Sequence, residues 1–330
     1  MSSVLNWARL SFRFQRLEIL LLGTAVLVSS LLMLWWAFEL NGVAAAYPDC
    51  EFFNGDATGC AAAQERFFEV FGAAEIIIRN TWVAGFAVGL VLGVPLVARE
   101  VEHGTAQLAW TLGRSRVRWL IGRVAFATLV TVLLTALLAA TTEVLAAAMR
   151  PDISTSQSFE HYGNRGPLIV GRAMLGLGAG VVVGALVGRQ LPALLLGVFV
   201  VGGLYAASWA WLPLWYHGEA EVRRTNEWLG SPLYIESGIE LTSGERLSFT
   251  EVFEGGRADL LDTYQAEDGT HYATEADAEA RRNPLGRDYI LVIPGERYNE
   301  IVARETAVFM GAGLLLIGGA AVVTSHRRPA

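Results

Sequence analysis

Residues 168–188 read LIVGRAMLGLGAGVVVGALVG, Arg189 and Gln190 follow, and residues 191–212 read LPALLLGVFVVGGLYAASWAWL. Each run has the length needed to cross a hydrocarbon core of about 30 Å as a helix. One charged residue, Arg172, falls in the first run and none in the second. A break of two residues leaves room only for a tight turn at one membrane face, so the pair reads as two consecutive spans. Composition agrees. Of 330 residues, 53% are hydrophobic and only 17% charged, with a mean hydropathy of +0.40, whereas a soluble domain carries about a quarter charged residues.

Four more runs complete a set of six. The first spans about Leu17 to Phe38, behind an Arg-rich amphipathic stretch over residues 1–16. It is too long, and too aromatic at Trp35 and Trp36, for a cleaved signal peptide. The second covers about Thr81 to Ala98, the third Trp119 to Met149, and the sixth Thr306 to Thr324, within a final segment 304–330. The fold class expected is therefore an all-α integral membrane protein with spans one to five inside residues 17–212. Arginine sets its orientation, since none of the 25 basic residues is lysine. With a cytoplasmic N-terminus, eleven Arg fall in the inner segments against five in the short outer loops, the bias of inward-facing loops. Both termini are then cytoplasmic in a cell membrane, with an external loop over 39–78 and an inner loop over 99–118.

Residues 213–303 become one extracytoplasmic insert with eighteen Asp and Glu against eight Arg, a local net charge of −10. Apolar runs at Leu233–Ile235 and Tyr289–Ile293, turn residues between them and a helix candidate at Ala273–Arg282 predict a small α/β domain. Acidity there serves solubility or attracts cations. Cys50 and Cys60 share the first external loop, where an oxidising exterior favours a disulfide.

The inner loop carries the most chemistry. It runs Arg99-Glu100-Val101-Glu102-His103-Gly104-Thr105, then Leu108-Ala109-Trp110-Thr111, then Arg116-Val117-Arg118-Trp119-Leu120. Gly104 suits an unusual backbone turn and Thr105 a helix cap, which predicts a short amphipathic helix along the membrane face. Contact with anionic lipid accounts for the arginines, but such lipid would repel Glu100 and Glu102.

This loop resembles that of the type-2 ABC transporter permeases, especially their actinobacterial branch. Pro294-Gly295-Glu296-Arg297-Tyr298 followed by Glu305 is similar to a second pattern of that branch. The resemblance implies that the loop couples to a cytoplasmic ABC ATPase through Arg99, Glu100, Glu102, Gly104, Thr105, Leu108 and Trp110. It also implies that Arg9, Arg13 and Arg16 of the N-terminal segment touch the same ATPase. It implies an exporter built from two permease copies, identical or paralogous, among membrane lipids and without nucleic acid. The alternative is a non-transporting complex whose external domain senses an envelope partner. The chain carries no cofactor site of its own: without lysine it has no Walker A motif, so ATP and Mg belong to the partner ATPase, and the chain reads as no enzyme.

Two other features stay open on sequence. Glu143 and Arg172, near the outer ends of spans three and four, read as an intramembrane pair or as two side chains snorkelling to the interface. The glycines of span four allow close helix approach, inside one subunit or at a dimer seam.

Overall fold

The computed structural model describes residues 2–53, 59–104, 116–223, 231–241, 243–254 and 286–326. Eight α-helices and four strands lie within them. Six helices are long and apolar enough to cross a membrane: α1 (Ser2–Ala46), α3 (Thr81–Glu102), α4 (Arg116–Met149), α5 (Leu168–Val187), α6 (Gln190–Tyr216) and α8 (Tyr298–His326), spans one to six. The chain forms two compact units, the first made of Met1–Thr155, Glu160–Ala206 and Asn299–Ala330, the second of Ser156–Phe159 and Ala207–Tyr298.

In the first unit, α5 is the axis. Its glycines bring it against backbone on two sides. A side chain at Gly176 would lie 2.6 Å from the Phe86 carbonyl of α3, and one at Gly178 would collide with Gly313 of α8. The span-four glycines thus serve packing within the subunit, and α5 is almost wholly buried as a result. Span one packs along span three, where Thr141 Oγ1 donates to Ser30 Oγ at 3.3 Å. By contrast, α6 buries Ala193 and Val201 and leaves Leu191, Leu195, Val198 and Phe199 exposed.

The connection after span one is more ordered than a loop over 39–78. Helix α1 continues to Ala46, Cys50 is disulfide-bonded to Cys60, and α2 (Ala61–Arg79) follows. Ala63, Phe67, Val70, Ala74 and Ile78 recur every three or four residues and form its buried stripe. Phe52 stacks on Phe67 at 4.3 Å, and the Arg150 guanidinium lies 4.2 Å from the centre of the Phe53 ring.

The second unit holds the small sheet, made of β1 (Glu221–Arg223), β2 (Leu233–Leu241), β3 (Arg246–Ser248) and β4 (Gly286–Ile293). All pairings are antiparallel, in the order β1-β4-β2-β3, with an irregularity between Tyr234 and Glu236. The two apolar runs picked out in the sequence lie in β2 and β4, whose Leu233, Tyr289, Leu291 and Ile293 are buried. The short helix α7 (Phe249–Glu254) opens on a reciprocal cap: the Ser248 backbone N–H donates to Glu251 and the Glu251 N–H to Ser248 Oγ. The helix candidate Ala273–Arg282 lies outside the described residues.

Candidate functional site

Span two ends in three charged side chains, and each is tied to a different spanning helix. Arg99 Nη1 lies 3.2 Å from Glu18 of span one. Glu100 accepts from Arg123 of span three at 2.5 Å, both side chains more than nine-tenths buried. Glu102 accepts from the backbone N–H of Gln190 at 2.9 Å, which places a carboxylate on the first turn of span five, where it offsets the helix dipole.

Helix chemistry explains why these contacts can form. Pro95 inside α3 has no N–H, and its ring displaces the carbonyls of the preceding turn. Gln15 Nε2 donates to one of them, Leu92, at 3.1 Å. Gln15 itself has non-helical φ/ψ of −115° and 17°, so α1 bends there, between the Arg-rich segment and span one. One buried amide thus fastens the joint of α1 to the proline turn of α3.

Beyond Glu102, His103 and Gly104 close the helix by donating to the Arg99 and Val101 carbonyls. Gly104 has φ +70°, the left-handed turn its position in the motif calls for, with open space around it. Thr105, Leu108 and Trp110 lie outside the described residues, as do the side chains of Arg9 and Arg13. Arg16 is exposed and lines a half-open cavity of about 380 Å³ with Glu18, Pro95, Arg99, His103 and Arg123.

Glu18, Arg123 and Gln15 are the members of this cluster that sequence reasoning passes over. Their signals are visible in retrospect: one acid behind a run of arginines, one arginine a turn inside an apolar span, and one amide where the polar stretch meets the apolar one. None names its partner.

The other end of the bundle holds a second polar cluster. Glu143 pairs with Arg165 at 2.7 Å, not with Arg172. Arg165 is 1% exposed and also donates to the Glu160 and Thr155 carbonyls. Arg172 instead donates to the Gly163 carbonyl, which the positive φ of Gly163 presents to it, and its guanidinium lies 5.7 Å from the Tyr205 ring. Thr81 Oγ1 donates to the Asn164 carbonyl. The connection between spans three and four is therefore caught by span side chains, which is a structural role. Outside the spans, Arg150 contacts Asp152 and Glu160. Burial lowers the Arg150 pKa, but these two carboxylates outweigh it and hold it above its ordinary value. His161 sits beside Glu75 with Nδ1 3.6 Å from the carboxylate. Burial first, then Arg165 and Arg150, hold its pKa below the usual value against the opposing pull of Glu75.

The second motif, Pro294 to Tyr298, lies in the second unit. Arg297 grips Glu219 at 2.6 Å, Gly295 lies so close to the Gln157 carbonyl that no side chain would fit, and Tyr298 meets the edge of the Phe159 ring. Among the described residues no group of His, Cys, Asp and Glu could hold a metal ion.

No curated protein and no solved structure matches the chain. A family model does, over residues 19–212, from the start of span one to the end of the second apolar run quoted above. Its description is "ABC-2 membrane transporter related", and with well over half of the chain matched and six spanning helices present, the protein belongs to that family of membrane transport subunits.

Proposed function

We propose that the chain is the permease subunit of an ATP-binding cassette exporter, driven by a separate cytoplasmic ATPase that binds the loop after span two. The observation that carries this reading is the junction of Arg99, Glu100 and Glu102. A push on residues 103–115 reaches spans one, three and five at once, through one buried ion pair, one half-buried ion pair and one exposed hydrogen bond. A family motif at this place thus sits where force on one loop can tilt several helices.

Within the proposal, Glu100 and Glu102 transmit movement, while Thr105, Leu108 and Trp110 touch the ATPase, with Arg9 and Arg13 of the N-terminal helix beside them. Both termini and this junction face the cytoplasm, and residues 213–303 face outside, as the arginine count supports. The Arg99–Leu120 and Pro294–Glu305 patterns support a reading within the actinobacterial branch. The exposed apolar face of span five faces a second permease copy or lipid, and ATP and Mg are bound by the ATPase. Closure of the ATPase dimer then shifts the population between two arrangements of the bundle.

One observation favours the non-transporting reading. Within the chain, side chains of spans two and five meet directly: Leu90 lies over Gly197, and Trp82 stacks on Tyr205 at 4.3 Å. A transport route therefore needs the free face of span five and a second copy.

The test separates transmission from contact. In a reconstituted complex, Glu102→Ala combined with Arg99→Ala should keep the ATPase bound and hydrolysing while outward transport falls at least tenfold. Loss of ATPase binding in that variant would move these residues from transmission to contact and overturn the assignment.

A further inference from the structure

We infer that the cavity at the joint of span one holds the headgroup of one anionic, hydroxyl-bearing phospholipid of the inner leaflet. The inference goes beyond the permease reading and rests only on its placement of this end of the bundle at the cytoplasmic face. Four observations carry it.

The first is charge. Glu18 and Glu100 are each neutralised by an arginine, Arg99 and Arg123, while Arg16 has no acidic partner among the described residues. The cavity is left with one uncompensated positive charge and the His103 imidazole at its rim. An arginine so placed suits a phosphate diester, whose oxygens accept from its fork of N–H donors.

The second is an orphan acceptor. Glu18 uses Oε1 for Arg99, and its Oε2 is buried without a hydrogen-bond partner. A buried carboxylate oxygen left bare is costly. Once a turn of the Glu18 side chain, which lines the cavity, brings this oxygen to its surface, a hydroxyl on the headgroup supplies the missing donor; a choline headgroup has none. Phosphate beside Arg16 and hydroxyl beside Glu18 together describe a phosphatidylglycerol-like head.

The third is shape. Pro95, Leu96 and Leu17 give the cavity apolar walls, which suit a glycerol backbone better than a free inorganic ion. The fourth is continuity: Leu17, Leu20 and Leu21, each more than half exposed, lead away from the cavity along span one and offer an apolar track for the acyl chains. A lipid seated there touches α1 at its bend, α3 at its proline and α4 at Arg123, so it braces the joint that Gln15 fastens.

The test is native mass spectrometry of the purified full-length chain, titrated in detergent with phosphatidylglycerol or phosphatidylcholine. The wild type should retain one phosphatidylglycerol per chain in preference to phosphatidylcholine. Juxtamembrane charges each contribute about fivefold in affinity, so Arg16→Gln should weaken retention about fivefold and Arg16→Glu about 25-fold, while Arg16→Lys retains most of it. Arg16 is exposed, so these variants should fold, with the intact Cys50–Cys60 bridge as the check. Arg189→Gln removes an exposed arginine elsewhere on the same face and should change nothing. Equal losses for Arg16→Gln and Arg189→Gln would show diffuse surface attraction and overturn the site, as would equal retention of the two lipids. Displacement of the lipid by millimolar glycerol 3-phosphate would assign the cavity to a soluble phosphate and overturn the lipid.

Discussion

Arg123 shows most plainly how burial raises the stake of a single contact. Its guanidinium and the Glu100 carboxylate are withdrawn from water together, so removing either strips this compensation from the buried charge that is left. Arg123→Ala should therefore lower stability by about 3–5 kcal/mol, measured as thermal unfolding in detergent. The double change Arg123→Met with Glu100→Met should recover most of that loss, because a buried pair replaced by apolar groups of similar volume is often neutral. If the double variant is as unstable as the single one, the pair is not the reason these side chains are buried. His161 gives a second test at this scale. Its folded pKa lies below the ordinary 6.5, so the unfolded chain binds the proton more readily. The stability it contributes is present above about pH 6.5 and is lost as pH falls from there through the folded value. Protection against hydrogen exchange across residues 155–167, corrected for the intrinsic rate at each pH, should fall on acidification in the wild type and much less in His161→Gln. An unchanged profile in the variant would clear His161 of the effect.

At the scale of elements, the spans were legible because twenty apolar residues in a row have few other readings. The pairing of Cys50 with Cys60 was legible from their shared loop, and the cores of two strands from short apolar runs. Helix α2 was missed because Glu65, Arg66 and Glu69 interrupt its hydrophobicity and hide a stripe only a periodicity count would expose. The partner of Glu143 was missed for a different reason. Sequence position ranked residues by depth along a span, whereas Arg165 reaches Glu143 from a folded connection. The glycines of α5 predict a sharp effect. Gly176→Val puts two methyl groups where the Phe86 backbone already stands, and neither helix backbone can yield locally. Spans two and four should separate, with a loss of several kcal/mol of the kind overpacking brings, read as early thermal unfolding. Cys50→Ser should cost less, about 2–3 kcal/mol for so short a loop, because Phe52 and Phe67 still pack beneath it.

For the whole molecule, sequence supplied the class and the family resemblance but not the mechanism, since contacts between residues 23, 81 and 88 positions apart have no local signal. The junction that ends span two is such an object: Glu18, Arg123 and Gln190 come from three other helices. In the proposed mechanism the loop following this junction engages a separate ATPase, and the direct measurement is ATP hydrolysis by the purified tagged chain with the proteins it retains from its native membrane. The wild type should carry a Walker-motif subunit and hydrolyse MgATP. A chain in which residues 105–112 are replaced by a Gly-Ser linker should insert, keep its Cys50–Cys60 bridge and lose both subunit and hydrolysis. If the replaced chain retains the same subunit and the same turnover, the loop is not the coupling element and the account fails.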